Sequence, residues 1–207
     1  DDLVDWYKSV WEHGWRLRNF HREGGNWLIM EMNGLAQIGI LYPQFRDAPA
    51  WKAYAFDRLM EELDRQVYPD GFQIELSTGY HQVVIRNYQW LWDMCEAYGE
   101  PVPDAFRAGL GRMHAANVRM MMPDGRLPDV NDGFWMGVAP LMERAVALYP
   151  ERSDFHWAYT RGQEGSPPEE TSVAFPYAGY YVMRTGWEPD AVWALFDGGP
   201  FGYGHQH

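Results

Sequence analysis

The tripeptide Pro-Asp-Gly occurs at 69–71 and again at 123–125, a spacing of 54 residues. Each copy follows one long helical pattern and precedes another. Two helices with their loops fill about that length in helical-repeat proteins. A turn tripeptide can also recur by coincidence, but the flanking helices favour an array of helical hairpins. Apolar residues at helical spacing mark helices over 2–20, 26–41, 49–67, 80–98, 103–121 and 134–149. The first carries Leu3, Trp6, Tyr7, Val10 and Trp11, the second is apolar nearly throughout, and the sixth ends at Pro150.

The period then changes. Gly162 to Pro168 reads as a linker. Residues 178–185 and 191–197 are aromatic and β-branched, with Gly-Trp-Glu-Pro-Asp between them, and read as a β-hairpin. The organisation expected is a helical domain over 1–161, a linker over 162–172 and the opening strands of a β domain over 173–207.

Composition narrows the function. The chain has 207 residues, 11 Trp and 13 Tyr, enough for a core and for a sugar-binding cleft in which aromatic faces stack on pyranose rings. A formal net charge of −12 argues against a nucleic-acid binder. It leaves room for an anionic ligand held by a local basic lining. The cations are 15 Arg and only Lys8 and Lys52, and Arg is the better bidentate partner for carboxylate and sulfate. Cys95 stands alone in an apolar helical run and is expected to be a buried thiol. No 18-residue apolar span suggests a membrane helix.

The repeat also relates candidate site residues. Asn26 and Tyr80 are again 54 apart, each opening an apolar helix. Equivalent positions of neighbouring hairpins face one cleft, where sites are usually built. Asn131 and Asp132 precede the next such helix and could line the same mouth. The plainer alternatives are that Asn26 is a helix cap and Tyr80 a packed aromatic.

Four ordered segments carry a family resemblance: Gly-Asn-Trp-Leu-Ile-Met-Glu-Met-Asn-Gly (25–34), Pro-Asp-Gly-Phe-Gln-Ile-Glu-Leu-Ser-Thr-Gly-Tyr-His (69–81), Phe-Pro-Tyr-Ala-Gly-Tyr-Tyr-Val-Met-Arg (175–184) and Gly-Pro with Gly-His-Gln-His (199–207). Together they resemble the heparinase II/III-like polysaccharide lyases. The resemblance implies a mainly α chain: an incomplete (α/α) toroid of helical hairpins followed by the first strands of an antiparallel β-sandwich domain. Members of that family are much longer, so the chain is expected to be part of a longer protein.

The family reaction is β-elimination at a uronic acid of an acidic polysaccharide, leaving a 4,5-unsaturated uronate. The enzyme must neutralise the carboxylate, remove the C5 proton and protonate the departing O4. Hydrogen-bond donors aimed at developing charge do the first task, and positioned acid and base groups do the others. By resemblance, Asn26 is the neutraliser, Tyr80 the catalytic tyrosine and His205 the histidine that shares proton transfer with it. His207 resembles a ligand of a structural zinc. Trp27 and Asn131 are expected to line the substrate cleft and Arg86 to contact an anion, while Glu75 and His81 orient Tyr80 or contact sugar hydroxyls; for His81 a structural histidine is the equal alternative. Alginate-cleaving relatives carry an Asn-His pair or a His where this chain has Asn26-Trp27. The resemblance is therefore closer to the heparinase III-like branch, with a heparan sulfate-like substrate and a secreted or periplasmic setting. An alginate or oligoalginate lyase of the same fold and a non-catalytic glycan-binding toroid are the alternatives.

Overall fold

The computed structural model describes residues 2–205. Seven helices and five short strands follow in the order α1 (Asp2–Asn19), α2 (Gly25–Leu41), α3 (Ala48–Gln66), α4 (Thr78–Tyr98), α5 (Asp104–Met120), β1 (Arg126–Leu127), β2 (Met136–Gly137), α6 (Val138–Leu148), α7 (Ser153–Thr160), β3 (Val173–Phe175), β4 (Tyr180–Arg184) and β5 (Trp193–Asp197). The chain is mainly α, with helical hairpins followed by antiparallel strands. Among the described residues no helix is long and apolar enough to cross a membrane.

The chain forms two compact units, Asp1–Arg65 with Arg86–Arg107, and Gln66–Ile85 with Ala108–His207. The helices α6 and α7 and all three late strands share the second unit. In the first unit α2 is the central element. It carries one charged residue, Glu31, and fully buries Leu28, Ile29, Met32, Leu35 and Ala36, while Trp27 and Met30 stay exposed. Gly39 lets it approach α3, because a Cβ there would lie 2.9 Å from the backbone nitrogen of Lys52. The first helix behaves differently. It buries only Gly14, pressed against the Trp51 ring, and leaves Leu3, Trp6 and Trp15 exposed. Cys95 is buried as expected, and burial pushes its thiol up to about 11.

The 54-residue spacing is structural. Tyr68 N–H donates to Phe72 O and Gly71 N–H to Tyr68 O, each at 2.8 Å. One repeat later, Met122 N–H donates to Arg126 O at 2.8 Å and Gly125 N–H to Met122 O at 2.9 Å. In both turns the Asp side chain accepts from the backbone N–H two residues on, and the Gly takes positive φ. Within the first unit, Asn33 and Asn87, also one repeat apart, share a buried hydrogen bond of 3.0 Å.

Four differences from the sequence reading have physical causes. The sixth helix starts at Val138, not 134, because the Pro140 ring would collide with the carbonyl of residue 136 in a longer helix. Met136 and Gly137 instead pair with Leu127 and Arg126. Helix α7 is only eight residues long and lies between Pro150 and Gly162, too short for a clear period. The expected hairpin is present as β4 and β5, but β3 adds a third antiparallel strand, with Val173 opposite Val182. On β4, Tyr180, Val182 and Arg184 face inward while Tyr181 and Met183 face outward.

Candidate active site

The second unit builds a cluster around the start of α4. Ser77 caps that helix: its hydroxyl accepts from Tyr80 N–H at 3.3 Å and donates to the Asp132 carbonyl at 2.8 Å. Thr78 donates to Pro128 O at 3.0 Å. Gly79 and Gly133 make this approach possible, since a Cβ on Gly79 would lie 3.1 Å from Asp132 O and one on Gly133 2.4 Å from the Thr78 hydroxyl. Asn131 adopts φ +52 and donates from Nδ2 to Leu76 O at 2.8 Å and to the Tyr180 hydroxyl at 3.2 Å. The Tyr180 hydroxyl also donates to Leu76 O. Leu76 itself sits at φ +56, a conformation that costs a non-glycine residue on the order of 1–3 kcal/mol. The carbonyl it presents is the shared acceptor that justifies the geometry.

The segment 202–205 reaches this start of α4 by lying along 74–76. Tyr203 N–H donates to Ile74 O at 2.9 Å, and Gly202 is pressed against Glu75 O, which a Cβ would approach to 2.2 Å. Gly204 then turns at φ +95 and delivers His205 to Tyr80. The two rings stack, with centroids 3.5 Å apart and planes 17° apart. His205 Nδ1 lies 2.8 Å from Asp132 Oδ2, and Nε2 lies 3.6 Å from Glu75 Oε2. A carboxylate oxygen accepts, so Nδ1 carries the proton toward Asp132 and Nε2 faces Glu75.

The structure brings Tyr80, Glu75, Asn131 and His205 together. Three of the expected site residues have structural partners of their own. Glu75 is buried and faces His205. Asn131 clamps the backbone through Leu76 O. His81 is buried, stacked on Phe72 at 4.9 Å, and donates from Nε2 to Met113 O at 3.1 Å. Burial lowers it to about 4, so it is a neutral core histidine. Asp132 shares the position of Asn131 before the next helix, but nothing in its neighbours announces its partner, a histidine 73 residues away.

Asn26, Trp27 and Arg86 belong to the first unit. Asn26 is buried at the second position of α2, and the cap of that helix is Gly24, so Asn26 is not the cap. Trp27 is 58% exposed with the Arg22 guanidinium 4.8 Å from its ring centroid. Arg18 stacks on Tyr54 at 3.7 Å, and the Tyr54 hydroxyl bonds His21 Nε2 at 2.6 Å. This basic and aromatic belt flanks Asn26 in sequence, and its signal was the Arg-Leu-Arg-Asn-Phe-His-Arg run at 16–22. Arg86 is exposed.

His207 lies outside the described residues. Among the described residues no three His, Cys, Asp or Glu side chains gather as a metal site. They do not by themselves fit the expected zinc, and no chemical step is routed through a metal.

Comparison with known proteins agrees with the motif reading. A family model described as Heparinase II/III N-terminus matches residues 1–157. The chain is 26% identical to heparin-sulfate lyase of Bacteroides stercoris over 98% of its length, covering 31% of that protein. It is 26% identical to heparin-sulfate lyase of Pedobacter heparinus, covering 98% of this chain and 32% of that protein. The solved structure of a heparinase III gene product superimposes with a TM-score of 0.84 at 27% identity, covering 99% of this chain and 32% of that one. The chain thus spans about a third of the length of the relatives it matches. With a model matching three quarters of its residues, the chain belongs to the heparinase II/III family.

Proposed function

We propose that the protein is a polysaccharide lyase that cleaves a heparan sulfate-like glycosaminoglycan by β-elimination. The observation that carries this reading is the Tyr80–His205 stack held by Asp132 and Glu75. The heparin-sulfate lyase names of its relatives supply the substrate class.

The chemistry follows from the groups present. The C5 proton of a uronate is a weak acid because the adjoining carboxylate resists further negative charge. Asn26, with a neutral amide donor, is the group proposed to hold that carboxylate. Tyr80 offers a phenol that can protonate the departing O4 without prior activation. His205 is the complementary proton carrier: Asp132 fixes the ring through Nδ1–H, and Nε2 is the nitrogen that gives or takes the proton. The elimination then breaks the C5–H and C4–O4 bonds and forms the C4–C5 double bond, the proton leaving to one carrier and another proton reaching O4. The Arg18, Arg22, Trp27 and Tyr54 belt supports an acidic sugar chain as ligand. Its action on an extracellular polymer makes a secreted or periplasmic setting part of the same proposal, as is a structural zinc bound through His207.

The test is incubation of the protein with a panel of uronate polymers, including heparan sulfate and alginate. New ultraviolet absorbance from an unsaturated uronate is expected with heparan sulfate. Cleavage of alginate alone would reassign the substrate, and binding without cleavage would make the protein a glycan-binding module.

A further inference from the structure

The second unit also holds a cavity of about 480 Å³ whose lining includes none of the Tyr80–His205 cluster. That volume lies within the range of small-ligand sites, about 300–1,000 Å³. Its walls carry three indoles, Trp157, Trp187 and Trp193, and two guanidiniums, Arg161 and Arg184. Trp157 and Trp187 meet edge to face, with centroids 5.2 Å apart, and Trp187 is pinned by a 3.0 Å hydrogen bond to Pro168 O. The aromatic wall is therefore built and held before any ligand arrives.

Two of the lining side chains carry unanswered donors. Arg184 is 7% exposed; its guanidinium sits 3.9 Å over Trp187, and its Nη2 donates to the Arg119 carbonyl. Among the described residues its Nε has no acceptor, and neither does Trp193 Nε1, although both atoms are buried. Arg184 and Trp193 are register partners on adjacent strands, so their side chains share one face of the sheet. Buried donors without acceptors are uncommon in folded proteins and costly to leave so. Burial also lowers Arg184 to about 10, the mark of a cation short of compensating charge. The carboxylates on the lining do not offset it. Asp124 is committed to Arg126, with Arg126 Nε donating at 2.7 Å, and that interaction holds its carboxyl below the usual range. Against Arg161 and Arg184 this leaves Glu188 alone.

We propose that this cavity binds one acidic saccharide residue, its pyranose face on the indole wall and its carboxylate or sulfate against Arg184 and Arg161. A pyranose ring joins an apolar C–H face to a polar rim, which matches indole faces next to guanidinium groups. The arginine fork reads carboxylate and sulfate bidentately. The proposal rests on the proposed function for the kind of saccharide only. It adds a second glycan contact, one that holds the polymer without touching the reacting bond.

Arg161 offers a clean variant. It caps α7 in the left-handed conformation, φ +54 and ψ +46, which glycine adopts at no steric cost. Arg161→Gly therefore removes the charge while favouring the fold. Trp187→Phe is the second variant, keeping an aromatic wall but narrowing it. The experiment follows the indole N–H resonances of Trp157, Trp187 and Trp193 during titration of Tyr80→Phe protein with a sulfated heparan tetrasaccharide. The Trp193 resonance is expected to shift and saturate, and Arg161→Gly is expected to weaken that saturation by roughly tenfold or more, the scale of one charged hydrogen bond. A desulfated, carboxyl-reduced tetrasaccharide should shift it only at much higher concentration. Indole resonances that stay still while the tetrasaccharide binds elsewhere, or that respond equally in Arg161→Gly, would overturn the cavity assignment and leave the lyase reading intact. Loss of cleavage in the parent with these shifts preserved would do the reverse.

Discussion

The rings of Tyr80 and His205 lie face to face, 3.5 Å between centroids, although one opens a helix and the other ends a glycine-rich loop. The stack places two proton-carrying side chains on one spot. It also ties the loop to the helix, so changing either residue has both a chemical and a structural effect. Substitutions that keep the ring separate the two.

Tyr80→Phe keeps the ring and removes the hydroxyl. Turnover should fall on the order of 100- to 10,000-fold, the contribution of a general acid–base group, while substrate binding stays near that of the parent. Single-turnover kinetics with direct binding measurement checks this. A loss below about tenfold would remove the Tyr80 hydroxyl from proton transfer.

Asp132 acts through His205 as a positioning residue. Asp132→Ala leaves Nδ1–H without its acceptor and should lower kcat with little change in KM. Asp132→Asn keeps an acceptor oxygen and should recover part of the loss. Equal loss in both, accompanied by a fall in Tm, would mean that Asp132 serves only the loop.

His81 makes stability depend on pH. Its folded value is about 4, against an ordinary 6.5, because burial disfavours the charged ring. As pH falls through 6.5 the unfolded chain takes up the proton and the folded chain does not. The stability this residue contributes is present above 6.5 and is lost between 6.5 and about 4, on the order of 3 kcal/mol in all. His114, lowered to about 3 chiefly by burial, adds a loss of the same sign. Urea unfolding at about pH 7 and about pH 5 should show this destabilisation. His81→Gln, whose amide can still donate to Met113 O, should flatten the dependence. An unchanged slope would contradict it.

Much of the fold was legible because repetition and periodicity are local signals. Residues 54 apart proved to share turn hydrogen bonds, and Asn33 and Asn87 meet directly. Short elements were not legible. The strands β1 and β2 have two residues each, and β3 has three, below what alternation can reveal. The site was half legible. Tyr80 and His205 could be named from motif, but Asp132 joins them through long-range contacts that no local pattern encodes. For His81 the structural alternative holds, since adjacency to Tyr80 on a helix turns its side chain about 100° away, into the core.

Asn26 is the proposed partner of the uronate carboxylate. Asn26→Ala should lower kcat/KM by about 100-fold or more, the loss seen when one donor to developing charge is removed. Asn26→Asp, nearly identical in shape but anionic, should be at least as damaging. Full activity in Asn26→Ala would leave that residue a structural role in α2.

The central claim is β-elimination by the Tyr80–His205 pair. The most direct measurement is product analysis of heparan sulfate digested by the protein, run beside Tyr80→Phe and His205→Ala. The account expects 4,5-unsaturated uronate ends from the parent and at least about a hundredfold less from each variant. Saturated, hydrolytic ends, or unsaturated product undiminished in both variants, would contradict it.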